Sequence, residues 1–313
     1  MRTPDSSELS AISLPYSNPL SFNEMRPNVF NFPDLTKTDN LINITHPLTI
    51  GMPPMLLTAP EPHPVGTRNL GSGSPLVLVC EHAGNRLPER CRDLGLPPEA
   101  MVRHIAWDIG AFALAERLAA RFDAPLIWQR YSRLVIDCNR RLDAPDLIPE
   151  KSEATPVPGN FRLFQGERLA RISEIWRPFQ DALAALLDQR TARGQPTLLV
   201  AVHSFTPVYL GQTRPWHIGF LPGAIAWPSH ALYDALNADR RLVVALDQPY
   251  RIDESDQTIP IQADARQIPS TLVEVRNDLI ANEAGCREWS DRLGDAIATL
   301  LETALPGETV AAS

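Results

Sequence analysis

Residues 74–89 read SPLVLVCEHAGNRLPE. An apolar, β-prone run from Leu76 to Cys80 stops at Glu81-His82, and Ala83-Gly84-Asn85 then turns the chain. A strand buried on both faces reads as a short continuous apolar run, and an open α/β sheet assembles its sites beyond the carboxyl ends of such strands. An acid and an imidazole at that place are either a polar surface turn or half of a metal or catalytic site. This stretch alone does not separate the two.

The same signature recurs further along. Residues 197–202 (TLLVAV) form an apolar run ending at His203-Ser204, and residues 271–273 form another that ends at Glu274. Residues 109–122 (IGAFALAERLAARF) place Ile109, Phe112, Ala115, Leu118, Ala119 and Phe122 at helical spacing. Short strands are expected at 125–129, 133–137 and 241–246. Helices are expected at 163–193, interrupted at Pro178, and at 229–238 and 284–301. Strands alternating with helices predict one three-layer α/β domain, with a mixed, mostly parallel sheet covered by helices on both faces. In such a sheet three strand ends carrying ionisable groups can meet at one place.

Residues 1–54 differ from the rest. Stretches such as PYSNPLSFNEMRPNVFNFP lack helical or strand periodicity, so residues 1–54 are expected to be a disordered or loosely attached leader, with the catalytic domain over 55–313. Met55 would open a shorter protein. The net charge of −8 argues against a nucleic-acid or anionic-membrane partner, because phosphate binding needs clustered Lys and Arg. No run approaches the roughly 20 apolar residues that span a bilayer, and residues 1–30 lack the pattern of a signal peptide. Cys80, Cys91, Cys138 and Cys286 are scattered without a CxxC, as expected for reduced thiols in the cytoplasm. The expected partner is a small molecule.

A catalytic zinc keeps three protein ligands, often two His and a carboxylate. His82 and His203 are the nitrogens. For the oxygen the first choice is Asp108, in HIAWDIGA, where it serves equally well as the N-cap of the following helix. Glu81 is second, since neighbours along a strand point to opposite faces. Glu274 is the candidate base for a metal-activated water, the competing reading being an ion pair with Arg276 on the same strand face. His104 and His217 lack a strand-end position and suit at most an orienting role. Residues 130–145, RYSRLVIDCNRRLDAP, supply Asp137, Asn139 and Arg140. A guanidinium grips a carboxylate through two parallel hydrogen bonds; Asn139 would add a donor, Asp137 would hold the arginine, and Arg133, Arg141 and Arg214 would share the work. A surface salt-bridge cluster explains the same residues.

CEHAGNRLP, RHIAWDIGA, YSRLVIDCNR, LIPEKSEATPVPGN, VAVHSFTP and LVEVRNDLI together resemble the N-formylglutamate amidohydrolase family, in the expected order from about Pro75 to Leu301. That family is similar to zinc-dependent amidases and carboxypeptidase-like hydrolases with a phosphorylase/hydrolase-like fold. The resemblance implies that His82 and His203 are zinc ligands, that Asp108 is the acidic ligand and that Glu274 is the general base. It further implies that Asp137-x-Asn139-Arg140 is the DxNR element holding the substrate's carboxylate. The carboxypeptidase pattern has Glu three residues after the first His, where this chain has Asn85. The acidic ligand must then come from elsewhere, and the resemblance, in which an acidic ligand precedes a helix, implies Asp108 rather than Glu81. The function implied is a cytoplasmic amidohydrolase using Zn2+ or another divalent metal, converting N-formyl-L-glutamate to formate and L-glutamate in histidine breakdown. The alternatives are a different N-acyl amino acid or small peptide as substrate, or a metal-free protein that binds acidic ligands.

Overall fold

The computed structural model describes residues 55–304, so the leader expected over 1–54 lies outside the described residues. Seven strands form one sheet: β1 (Val65–Arg68), β2 (Leu76–Cys80), β3 (Leu126–Gln129), β4 (Leu198–Phe205), β5 (Ile218–Pro222), β6 (Val244–Leu246) and β7 (Ser270–Arg276). Their spatial order is β1-β3-β2-β4-β7-β5-β6. β3, β2, β4 and β7 run parallel at the centre. β1 is antiparallel to β3, and β5, itself antiparallel to β7, carries β6 parallel to it. The sheet is therefore mixed and mostly parallel.

The central strands read as continuous apolar runs because both faces are covered. Along β4, Leu198, Val200 and Val202 pack into one core and Leu199 and Ala201 into the other. The first core is closed by α1 (Ala111–Phe122), α4 (Trp227–Asn237) and α5 (Glu283–Ala304), through Leu114, Leu118, Leu232, Trp289, Leu293 and Ile297. The opposite core is closed by α2 (Gln165–Arg171), α3 (Arg177–Ala192) and the turn joining them, through Ala170, Ile175, Phe179, Leu183 and Leu187. Burying each such aliphatic or aromatic side chain contributes about 1.5–3 kcal/mol, so two filled cores set the layer order. Among the described residues no helix is long and apolar enough to cross a membrane.

Several local expectations change. Residues 133–137 form turns rather than a strand: Ser132 Oγ accepts from Leu134 N, and Val135 N donates to the Ser132 carbonyl. The apolar Leu134, Val135 and Ile136 are buried by the helical layer instead of by strand pairing. The break expected at Pro178 is a π-helical turn at Ile172–Trp176, just before it, and Pro178 then sits in the first turn of α3. β4 and β7 run on past His203 and Glu274, which therefore stand inside strands. β1 and β5 have no counterpart among the expected strands; each is short and contains a glycine, which weakens its strand signal.

Candidate active site

Backbone geometry delivers the polar groups first. The turn after β2 lies so close to the next chain segment that a Cβ at Gly84 would overlap the Arg130 carbonyl. Asn85 is used locally, its side chain donating to the Met101 carbonyl at 2.8 Å. The carbonyl of His82 accepts from Asp108 N at 2.9 Å, fixing the segment ahead of α1. That helix begins at Gly110 in the left-handed region (φ 81°) and has no side-chain cap, so the Asp108 carboxylate is free to turn toward the sheet. On β4 and β7, His203 and Glu274 are direct register partners, and side by side on parallel strands they share a face.

His82, Asp108 and His203, all buried, offer one ligand atom each within 4.8 Å of one another. Asp108 Oδ2 lies 2.9 Å from His203 Nδ1 and 3.4 Å from His82 Nδ1. The Nε2 atom of each ring faces a second carboxylate. His82 Nε2 meets Asp137 Oδ1 at 2.7 Å, and His203 Nε2 meets Glu81 Oε2 at 3.0 Å. The second contact is close but poorly aligned for a hydrogen bond, and both Glu81 oxygens otherwise lack partners. Carboxylates behind histidines in this way leave the two Nδ1 atoms and Asp108 as the converging donors.

Charge explains what the cluster can hold. Glu81, Asp108, Asp137 and Glu274 are all buried. The guanidinium among them, Arg133, sits 2.6 Å from Asp137 Oδ2, 3.2 Å from His82 Nδ1 and 3.6 Å from Asp108 Oδ1. Burial opposes ionisation of Asp108, but the charges and hydrogen bonds of His82 and His203 outweigh it and hold the carboxyl well below its usual range. Burial likewise opposes protonation of His203, yet Glu81 and Asp108 raise its pKa well above the ordinary imidazole value. For His82, burial and Arg133 are outweighed by Asp137 and Asp108, and its pKa also rises. Glu274 goes the other way: burial, reinforced by Asp108, pushes its carboxyl up to about 7 against the pull of the histidines. An excess of buried carboxylate around two imidazoles suits a divalent cation, and two His with one Asp match a catalytic zinc set.

The cluster forms the floor of a cavity of about 500 Å3. Other expected residues are placed differently from their sequence reading. Asp137 holds His82 and Arg133 rather than Arg140. Asn139 lines the cavity, and its side chain donates to Asp256 Oδ1 at 3.3 Å and accepts from Thr258 N at 3.0 Å. Arg140 lines the cavity but is met by Asp146 at 2.8 Å and by Asp256. Arg141 pairs with exposed Asp143. Arg276 turns to Asp278, not Glu274. Arg214 is buried against Tyr250. His104 lines the cavity, and burial lowers its pKa. His217 accepts from Val243 N at 2.8 Å, next to the β5–β6 pair. Sequence reasoning missed Tyr209 and Tyr250, which also line the cavity; Tyr209 lies in a two-residue strand and Tyr250 in a polar loop, both too short to show a periodicity.

Comparison with known proteins bears on the same region. A family model described as N-formylglutamate amidohydrolase matches residues 74–281, which include every residue of the cluster. Gene product Atu2144 from Agrobacterium tumefaciens is 36% identical, with a TM-score of 0.74 over 78% of this chain and 99% of that one. An N-formylglutamate amidohydrolase from Ralstonia eutropha JMP134 shares the fold at 18% identity, with a TM-score of 0.58 over 79% of this chain and 100% of that one. No curated protein matches the chain by sequence. With the profile spanning well over half of its length, the chain belongs to the N-formylglutamate amidohydrolase family, whose chemistry is amide hydrolysis.

Proposed function

We propose that the chain is a metal-dependent hydrolase of N-acylated amino acids that carry a carboxylate, with N-formyl-L-glutamate as the first substrate to test. The observation that carries this reading is the convergence of His82 Nδ1, Asp108 Oδ2 and His203 Nδ1 beside a buried, strand-held Glu274. Zinc, or another divalent ion, held by these three residues supplies Lewis acidity toward the acyl carbonyl and acidifies a water. Glu274 takes a proton from the attacking water as its oxygen bonds to the acyl carbon. When the C–N bond breaks, Glu274 gives that proton to the departing nitrogen, so formate and glutamate account for all the atoms. A carboxyl held near neutrality by burial suits both halves of that transfer. Arg133 places positive charge beside His82 and Asp108, where the carbonyl oxygen gains negative charge; such a preorganised donor is worth about 3–4 kcal/mol. Asp137 and Glu81 keep the imidazoles oriented.

The test pairs metal content with formate release from N-formyl-L-glutamate, for the natural protein and for Glu274→Gln. One zinc per chain, with turnover that collapses in the variant while metal is retained, is the expected result. Bound zinc without formate release would move the search to other N-acyl amino acids. A protein that takes up no divalent metal on reconstitution would overturn the assignment.

A further inference from the structure

The arginines nearest the cluster are each committed to carboxylates of the protein itself. Arg133 is paired with Asp137 and lies close to Asp108, and Arg140 is held by Asp146 and Asp256. Arg214 is different. It is 9% exposed, and among the described residues its guanidinium has one hydrogen bond, from Nη1 to Tyr250 Oη at 2.9 Å. The rings of Tyr209 and Tyr250 lie 4.5 and 4.7 Å from its central carbon. Aromatic faces steady a guanidinium but cancel none of its charge.

Two other buried arginines show what a structural role looks like here. Arg190 donates to Thr197 and to the carbonyls of Ser72, Ser74 and Pro196. Arg171 donates to the Val135 carbonyl and to Asn160 Oδ1. Arg214 has no such set of acceptors. A buried cation with so few acceptors is costly unless an anion arrives to meet it.

Its neighbours show where that anion would come from. Tyr250 lines the catalytic cavity and is 43% exposed, and Tyr209 lines the same cavity. Because Tyr250 Oη accepts from Arg214, the phenol keeps its own proton to donate, polarised by the guanidinium behind it. The segment is firmly held: Arg214 N donates to the Pro207 carbonyl at 2.8 Å, and Val208 pairs with Thr213 across a short hairpin that carries Tyr209. Lys151 and Arg251 also line the cavity, but they are exposed, and hydrated surface charges discriminate weakly.

We propose that the Arg214–Tyr250 pair recognises a carboxylate of the substrate, Tyr250 touching it and Arg214 supplying the charge through Tyr250, in the place that residues 137–140 were expected to fill. This rests on the amidohydrolase reading above and sharpens it: the substrate is anionic at the end that meets Tyr250.

The test uses the metal-loaded full-length chain and reads turnover and binding separately. KM and kcat are measured for N-formyl-L-glutamate and its two monoamides. Calorimetric binding of the same three compounds is measured on Glu274→Gln protein, with and without Arg214→Met or Tyr250→Phe. The expected result is binding of N-formyl-L-glutamate weakened about 10- to 100-fold by Arg214→Met, the effect of losing a charge-assisted contact. KM rises with it while metal content holds. One monoamide shows no further loss in Arg214→Met, and so identifies the carboxylate that is read. Tyr250→Phe, which keeps the ring and removes the hydroxyl, weakens the same compound, and the double variant is no worse than Arg214→Met alone. Arg214→Lys restores part of the affinity. Equal weakening of acid and amides, or unchanged affinity in both single variants, overturns the inference. Carboxylate-dependent binding without formate release would instead sink the substrate reading and leave this inference standing.

Discussion

The floor and the wall of the cavity are built in opposite ways. The floor comes from regular structure: the end of β2, the segment before α1, and adjacent register positions on β4 and β7. Its polar groups are buried, and the sheet and each other's charge fix them. The wall comes from turns and hairpins that bring Lys151, Tyr209, Tyr250 and Arg251 to the cavity from separate loops. Reactive geometry tolerates little displacement, which suits the proposed chemistry to the rigid layer, and loops that can change without disturbing the core suit the proposed recognition.

The largest expected effect lies in the floor. His203→Ala removes one of the converging donors and is expected to abolish stoichiometric metal binding and reduce turnover to background, checked by metal analysis and formate release. Glu274→Gln comes next: metal is retained and kcat falls about 10²- to 10⁴-fold, the usual worth of a positioned acid–base group. Parallel loss of metal would show that Glu274 belongs to the ligand set rather than beside it. Asp137→Asn and Glu81→Gln should each weaken metal affinity by about 10- to 100-fold in chelator competition. Asp137 should matter more, since it makes the shorter, aligned bond to His82 and also holds Arg133.

The comparison is sharpened by residues between floor and wall. Asn139→Ala should lower stability by about 1–3 kcal/mol, read from the denaturant midpoint, because it strands the Thr258 amide and the Asp256 contact. A tenfold rise in KM at unchanged stability would return Asn139 to the substrate. The smallest effect is expected at the rim. Lys151→Met should change KM by less than about fivefold in physiological salt, since exposed charge pairs rarely exceed 1 kcal/mol.

Much of the floor is legible in the sequence. The apolar runs of β2, β4 and β7 and the spacing of α1 are local signals, and ionisable residues breaking three such runs mark one side of the sheet. Glu81 shows where local reasoning stops. It does point away from His82, as strand alternation requires, but it points toward His203, because β2 and β4 are parallel neighbours. Residues 133–137 fail differently: three consecutive apolar residues look like a strand whether sheet pairing or a helical layer buries them.

The sequence by itself determined the alternation of strands and helices, the residue types at the strand ends, and a resemblance dense enough to name a family. Those properties are written within a few residues of one another, in periodicity and in turn chemistry. Only the tertiary structure decided which charge meets which. Asp137 reaches His82 across 55 positions, Asp108 reaches His203 across 95, and Asp256 meets Arg140 across 116. A buried charge takes its properties from its nearest partners in space, and sheet order and loop closure choose those partners. For that reason Arg140, the first choice in the sequence, is paired with two aspartates, while Arg214, expected only to share its work, lies against the cavity's tyrosines without a carboxylate partner among the described residues.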